Sequence, residues 1–229
     1  MNAHQTLILA SSSPRRQELV RSLGLPYEIM VSEADETTPP GMAPADIVTT
    51  LSLRKAEVVR DKMNETPGVI LGADTIVVSN GEVLGKPVDE EDAYRMLHRL
   101  QGNIHEVYSG MALLGTGVSA SVKLEEEIYF GEHSRYRVIA RRENAAVASL
   151  LGYSVTQVKF KPLSDAQIRS YIAKGESSDK AGAYAIQNIG ATLVESIVGD
   201  YFNVVGLPIS LLSVMLERFD LHVLSLMEE

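Results

Sequence analysis

Apolar runs of strand length alternate along this chain with longer segments whose apolar residues recur at helical spacing. Thr6–Ala10 and Val69–Val78 are strongly apolar runs, so both are predicted to be buried strands. Ala45–Met63 repeats its apolar residues at helical spacing and is predicted to be a helix. The same reasoning predicts strands at Tyr27–Val31, Asn103–Leu114, Ser154–Phe160 and Ala191–Val198, and helices at Pro14–Leu23, Asp89–Leu100, Ser164–Lys174 and Leu207–Arg218. This alternation predicts an α/β fold.

One segment, Gly115–Leu151, does not follow this pattern. It is polar and weakly periodic, with an acidic cluster at residues 125–127 and a basic pair at residues 141–142. We therefore expect it to leave the domain as an excursion, either a hairpin or a helix at one end. The chain as a whole, residues 1–229, is expected to form a single domain, since this length is ordinary for one α/β unit.

Composition narrows the classes of function. The chain has 229 residues and a net charge of −9, which argues against binding of long nucleic-acid polymers. It has no cysteine, which excludes disulfides, thiolate metal sites and thiol nucleophiles. No apolar run approaches the roughly 18 residues that span a bilayer, so no membrane association is expected. These features together predict a cytoplasmic protein.

The first candidate constellation lies where the first predicted strand meets the first helix. Ser11, Ser12 and Ser13 precede Pro14, and Ser13 before proline is typical of a helix start. Arg15 and Arg16 follow at once. Free backbone N–H groups, hydroxyls and two guanidinium groups together suit a chain of phosphates. The alternative is an ordinary helix cap with two solvated arginines.

The second constellation consists of carboxylates near strands. Asp74 interrupts an otherwise apolar strand, where a charge is costly unless it is paired or bound to a metal. Asp35 and Glu36 lie in the proline-rich loop Ser32–Pro44 and are equally compatible with solvated loop charges.

The third constellation is formed by Asp179–Gln187 and Gly199–Pro208. Small residues around Tyr184 and Gln187 would let a flat base approach the backbone. An ordinary turn between strands is the alternative reading of this pattern.

These blocks, in this order, resemble the Maf (septum-formation inhibitor-like) family of nucleotide pyrophosphatases. The resemblance covers Leu7 to about Leu212, excluding much of Gly115–Leu151. It implies a long mixed, twisted sheet with flanking helices, and two lobes around a nucleotide cleft. It also implies a divalent cation (Mg²⁺ or Mn²⁺), a homodimer, and hydrolysis of nucleoside triphosphates to monophosphate and pyrophosphate in nucleotide-pool house-cleaning.

The resemblance also assigns roles to individual residues. It implies that Asp74 is the proton acceptor and that Glu36, Lys55 and Lys86 are further catalytic residues, with Glu36 and Asp74 as metal ligands. The implied substrate-binding and specificity residues are Ser11, Arg15, Arg16, Thr75 and Gln187.

The residues at three motifs, Pro14–Arg16, Ala73–Thr75 and Ala183–Gln187, resemble those of the branch that prefers dTTP and UTP. The 7-methyl-GTP branch has tryptophan at the position of Arg15 and glutamine at that of Thr75, and it lacks an equivalent of Gln187. Two departures from the family pattern are Ala185, where glycine is usual, and the length of the excursion. Two other functions stay open at this point: a non-catalytic nucleotide-binding regulator of cell division, and a pyrophosphatase for modified purine nucleotides.

Overall fold

The computed structural model describes residues 6–63, 67–117, 126–129, 135–144 and 147–224. The strands are β1 (Leu7–Leu9), β2 (Tyr27–Ile29), β3 (Gly68–Ser79), β4 (Glu82–Leu84), β5 (Ile104–Thr116), β6 (Glu126–Tyr129), β7 (Arg135–Asn144), β8 (Val147–Phe160) and β9 (Val194–Val198). The α-helices are α1 (Pro14–Ser22), α2 (Pro44–Lys62), α3 (Glu90–Leu100), α4 (Asp165–Ile172), α5 (Tyr201–Val205) and α6 (Ile209–Glu217). Two 3₁₀ segments lie at Ala181–Ala183 and Asn188–Leu193.

The strands form one mixed sheet in the order β2-β1-β3-β5-β8-β7-β6. β1 runs parallel to both β2 and β3, whereas β3, β5 and β8 are antiparallel neighbours over most of their length. β4 pairs with β3, and β9 pairs with β8. This mixed sheet with flanking helices confirms the predicted α/β class. Within the described ranges, no helix has both the length and the apolar character that crossing a bilayer requires.

Successive residues of β3 point to opposite faces of the sheet, as in any strand. Leu71 and Ala73 are buried in a core that α6 and part of α1 complete. Ile70 and Ile76 are buried on the other face, against α2. β3 is therefore covered on both faces, which explains why its sequence is apolar on either side of Asp74 and Thr75 instead of alternating.

Two glycines let α2 approach the sheet closely. A Cβ atom at Gly72 would lie 2.0 Å from the Ser52 carbonyl oxygen, and one at Gly110 would lie 2.5 Å from that of Val48. Either side chain would force the helix outward. Because Gly110 is the β5 partner of Asp74, this close approach occurs where Asp74 lies.

Some element boundaries differ from those that the sequence predicted. β8 begins at Val147 rather than at Ser154, and its first half includes the adjacent buried residues Leu150 and Leu151. Because Leu150 and Leu151 are buried in cores on opposite faces of the sheet, this part of the strand shows no alternating pattern. The short helix α5 was not predicted, since five residues are too few to show a helical period.

The segment Gly115–Leu151 contributes more to the sheet than its sequence pattern indicated. β5 extends to Thr116, and β7 pairs with the first half of β8. β6 and β7 form an antiparallel pair that continues the sheet outward. As expected, β5 and β8 are antiparallel neighbours.

Candidate active site

A cleft of about 900 Å³ opens between the layer formed by α1, α2 and β3 and the segment around residues 179–187. This volume is within the range of about 300–1,000 Å³ that is usual for small-molecule sites. Its lining includes all nine residues that the resemblance assigned to the site: Ser11, Arg15, Arg16, Glu36, Lys55, Asp74, Thr75, Lys86 and Gln187.

The charge balance of the cleft differs from that of the chain. Five basic side chains and four carboxylates line it, whereas the chain has 21 basic and 30 acidic residues. An acidic protein therefore presents a slightly basic cleft, which suits a polyanionic ligand.

Lys55 connects the two predicted carboxylates. Its Nζ atom lies 2.6 Å from Asp74 Oδ1 and 2.8 Å from Glu36 Oε1. Asp74 is only 8% exposed, so the ion pair satisfies a charge that would otherwise be costly to bury. The hydrogen bond from Lys55 holds the pKa of Glu36 below its usual value. Asp74 Oδ2 has no hydrogen-bond partner among the described residues and remains available as an acceptor.

The arrangement follows from the sheet and from α2. Asp74 points to the α2 face of β3, and Lys55 is one helical turn from Ser52, which lies against Gly72. Close contact between helix and sheet thus brings the ammonium group to the carboxylate. Glu36 reaches the same ammonium group from the loop between β2 and α2.

The two carboxylates fit a divalent cation. An oxygen of each lies within 3 Å of the same Lys55 nitrogen atom, so the two carboxylates converge on one part of the cleft. The described residues contain no cluster of three or more potential ligand side chains. Mg²⁺ is commonly held by one or two carboxylates together with substrate phosphates and water. The donor set therefore suits a cation that is completed by a phosphate ligand.

Arg16 is bound to the protein itself. Its Nε donates to the Gly206 carbonyl at 2.9 Å, Nη1 to the Ala73 carbonyl at 2.9 Å, and Nη2 to Thr75 Oγ1 at 3.0 Å. Burial lowers the pKa of this guanidinium group, and the nearby Asp74 carboxylate opposes that shift. Arg16 thus holds the strand on both sides of Asp74.

The Thr75 hydroxyl is also occupied within the protein. It accepts from Arg16 and lies 2.8 Å from Ser109 Oγ, which in turn donates to the Asn203 carbonyl. The fully buried Asn203 side chain donates to the Val107 carbonyl and to Thr156 Oγ1. This network joins β3, β5 and β8 to α5 and accounts for part of the Gly199–Pro208 block.

Arg15, Lys86 and Gln187 contrast with these residues. Within the described part of the chain, their side chains form neither hydrogen bonds nor ion pairs, yet all three line the cleft. Arg15 lies in the first turn of α1, whose backbone N–H groups lack helical acceptors. Ser13 occupies the predicted N-cap position without a side-chain cap, and Ser11 Oγ accepts from the Ser13 N–H instead.

The segment that carries Gln187 is fixed by two side chains outside the cleft. Tyr171 Oη accepts from the Ala185 N–H, and the Glu176 carboxylate accepts from the N–H groups of Ile189 and Gly190. A Cβ at Gly190 would lie 2.0 Å from the Ala185 carbonyl oxygen, so only glycine permits this tight turn.

Aromatic rings support the same segment from behind. Tyr184 contacts Phe160 and His105 edge-to-face, and its hydroxyl lies 2.8 Å from His105 Nε2. Burial lowers the pKa of His105 from 6.5 to about 4 and raises that of Tyr184. His105 is therefore neutral at ordinary pH and acts as part of the core.

Sequence reasoning missed several residues that line the cleft or support it. Asp179 and Lys180 line the cleft as an ion pair, although the sequence pattern indicated no role for them beyond membership of a motif. Asn203 could have been noticed as an amide within a largely apolar run. Arg54 of α2, which binds the loop that carries Glu36, had no distinguishing signal in the sequence.

Comparison with known proteins identifies the family of this chain. Residues 6–219 match the family described as Maf-like protein. A dTTP/UTP pyrophosphatase of Symbiobacterium thermophilum is 45% identical over 216 residues, which cover 94% of each chain. A protein of the same name from Pelotomaculum thermopropionicum is 41% identical over 95% of this chain and 98% of its own. One from Bacillus cereus is 40% identical over 95% and 97%, respectively. The chain therefore belongs to the Maf-like protein family.

Proposed function

We propose that this protein is a nucleoside triphosphate pyrophosphatase that hydrolyses dTTP and UTP to the monophosphate and pyrophosphate. The observation that carries the proposal is the group of Lys55, Asp74 and Glu36 in one cleft with Arg15 and Lys86, two cations that form no ion pair with the residues that the structure describes. Names of relatives support it, because three proteins at 40–45% identity are called dTTP/UTP pyrophosphatases.

The unpaired basic groups bind the triphosphate. Arg15 offers a planar fork of donors to phosphate oxygens, while Lys86 acts as a mobile point charge. Ser11 and the first-turn N–H groups of α1 add neutral donors at the same edge of the cleft. Because none of these groups must first break an ion pair within the described residues, binding costs little reorganisation.

The chemical step uses Asp74 as the general base. Water attacks the α-phosphorus, the bond from that phosphorus to the bridging oxygen breaks, and pyrophosphate leaves with the electron pair. Asp74 accepts the proton of the water at Oδ2, the oxygen to which no described residue donates a hydrogen bond. Lys55 keeps this carboxylate aligned by holding Oδ1.

Glu36 and Asp74 would hold the divalent cation, Mg²⁺ or Mn²⁺. When bound, it would neutralise charge on the phosphate oxygens in the transition state. Lys55 contacts both carboxylates and so sets the distance between them.

Specificity for the base is assigned to Gln187, Arg15 and Thr75. Gln187 presents to the cleft an amide that no described residue pairs with, and an amide can both donate to and accept from a pyrimidine edge. Thr75 acts indirectly, since its hydroxyl is occupied by Arg16 and Ser109. A base that left the Gln187 amide unpaired would be disfavoured.

The test is a nucleotide panel with product identification by chromatography. We expect dTTP and UTP to be the best substrates and to give monophosphate and pyrophosphate. Binding without turnover would instead support a nucleotide-binding regulator, and preferred turnover of a modified purine would reject the pyrimidine assignment. Release of orthophosphate would refute the reaction class.

The family resemblance also carries expectations about domain organisation, location and oligomeric state. We propose that the chain folds as one domain, acts in the cytoplasm and forms a homodimer. Sedimentation at micromolar concentration tests the oligomeric state, and a monomeric active enzyme would reject the dimer.

A further inference from the structure

Glu36 lies on a long irregular connection. Residues 30–43 join β2 to α2 and contain no helix or strand. Connections of this kind usually open more easily than the elements they join. Glu36 itself is half exposed, with 53% of its side-chain surface accessible. A carboxylate that must lie at a fixed distance from Asp74 therefore needs its loop to be held.

Arg54 on α2 binds this loop. Its Nη1 atom donates to the Asp35 carbonyl and, at 2.9 Å, to the Thr37 carbonyl. These two carbonyl groups flank Glu36 in the sequence. The Asp35 carboxylate lies 4.0 Å from Arg54 and instead accepts from the N–H and the hydroxyl of Thr37. Arg54 therefore binds the backbone of the loop. The Asx-type turn that Asp35 forms with Thr37 keeps this part of the loop compact.

The arrangement repeats the one around Asp74. Arg16 binds the Ala73 carbonyl and the Thr75 hydroxyl, the groups that flank that carboxylate. Each of the two carboxylates is thus held from both sides by a single guanidinium group. The two arginines differ in place, since Arg16 is half-buried in the lining of the cleft and a third of the Arg54 side chain is exposed outside it.

We propose that Arg54 is a positioning residue for Glu36, an inference that rests on the proposed function of that carboxylate. Two adjacent residues of α2 then have different roles. Lys55 contacts the carboxylates themselves, and Arg54 fixes the backbone that carries one of them. Without Arg54, Glu36 would keep its bond to Lys55 but sample more positions, and a divalent cation would bind less tightly.

The test compares Arg54→Met and Arg54→Lys with the wild type. Methionine keeps the apolar stem and removes every donor, whereas lysine keeps the charge but not the fork. Arg60→Met is the matched control, because Arg60 lies on the same helix and pairs with Asp61 away from the cleft. Thermal unfolding verifies that each variant is folded.

Two readouts are needed. The first is hydrogen–deuterium exchange over residues 32–43 in the metal-free protein. The second is the Mg²⁺ concentration that gives half-maximal dTTP hydrolysis. Loss of a group that supports a metal ligand commonly weakens metal affinity about 10–100-fold. We expect Arg54→Met to speed exchange in this loop and raise the half-maximal Mg²⁺ concentration about tenfold. Saturating Mg²⁺ should restore most of the rate, and Arg54→Lys should lie between.

Two results would overturn the proposal. Unchanged exchange in Arg54→Met would show that Arg54 does not hold the loop. If Arg54→Met exchanges faster in this loop but shows an unchanged Mg²⁺ dependence, the contact between Arg54 and the loop does not position Glu36. If the wild type itself hydrolyses no triphosphate, the proposed function fails, and the exchange comparison still decides whether Arg54 fixes the loop.

Discussion

The two walls of the cleft differ in how much of their hydrogen-bonding capacity the protein itself uses. The inner wall consists of Arg16, Asp74 and Thr75, whose side chains are bound to the backbone, to Lys55 or to Ser109. The outer wall consists of Arg15, Lys86 and Gln187. In the described part of the structure, these side chains have no hydrogen bonds or ion pairs.

Arg15 and Arg16 are adjacent, and yet one belongs to each wall. Neighbouring residues of a helix point about 100° apart, so the two guanidinium groups diverge. The difference indicates a division between positioning and ligand binding. Changes to the inner wall should impair turnover or stability, whereas changes to the outer wall should impair affinity and specificity.

The largest effect is expected for Asp74→Asn on the inner wall. The substitution is nearly isosteric, but an amide cannot accept the proton, so kcat should fall about 10²–10⁴-fold. Steady-state hydrolysis of dTTP measures it, with Asp61→Asn, an exposed carboxylate on α2, as the control. Near-wild-type turnover in the folded variant would remove Asp74 from the mechanism.

Arg16→Met should combine lost activity with lost stability. Removing the guanidinium group leaves the carbonyls of Ala73 and Gly206 without their partner, and each unpaired buried group costs about 1–3 kcal/mol. We expect the free energy of unfolding to fall by about 2–5 kcal/mol. Urea denaturation measures this value. A variant as stable as the wild type that shows only a raised KM would move Arg16 to the outer wall.

His105 allows a test of the aromatic layer behind the cleft. Its pKa of about 4 in the folded protein lies below the unfolded value of 6.5, so the unfolded chain binds the proton first as pH falls. Above pH 6.5 both states are neutral at His105, and the free energy of unfolding has its full value. As pH falls from 6.5 to 4, the free energy of unfolding decreases by up to about 3 kcal/mol because the unfolded chain binds this proton more tightly. Urea midpoints of wild type and His105→Gln should therefore show different pH dependence over this window. Parallel curves would contradict the buried, neutral state.

Arg15→Met should leave stability unchanged and weaken substrate binding. A hydrogen bond to a charged group contributes about 1.5–3 kcal/mol, which corresponds to a rise of roughly 10–100-fold in KM for dTTP. The matched comparison is Arg16→Met, which differs by one position. If Arg15→Met instead lowered the unfolding free energy as much as Arg16→Met does, the two walls would not be distinct.

The smallest effect is expected from shortening the segment between β5 and β8. The cut must end at Ala146, because Val147 begins β8 and Leu150 is buried in the core. Replacing residues 118–146 by a short Gly/Asn turn removes β6 and β7 and leaves the first half of β8 at a sheet edge. It should nevertheless leave dTTP hydrolysis close to that of the full chain, because no described residue of this range lines the cleft. The competing idea is a lid or a dimer contact. A folded, trimmed protein that lost activity or dissociated would support that idea.

The sequence predicted which residues line the site better than it predicted the contacts between them. Asp74 was evident because a carboxylate in an apolar strand is a local anomaly, and the family motifs supplied Lys55, Lys86 and Gln187. All of these line the cleft. The roles of the motif residues are predictions that the experiments above must test.

What could not be predicted depends on contacts between distant residues. Arg16 binds Gly206, 190 residues away, and Asn203 binds Val107, 96 residues away. No local pattern distinguishes Arg16 from Arg15 or identifies Arg54. Likewise, the first half of β8 is buried on both faces, so adjacent Leu150 and Leu151 gave no alternation to detect.

The central claim is that water attacks the α-phosphorus with Asp74 as the base. Hydrolysis of dTTP in ¹⁸O-labelled water, followed by mass spectrometry of both products, tests it most directly. The account predicts one labelled oxygen in the monophosphate, none in the pyrophosphate, and little labelled product from Asp74→Asn. Label in the pyrophosphate, or equal labelling by the variant, would contradict it.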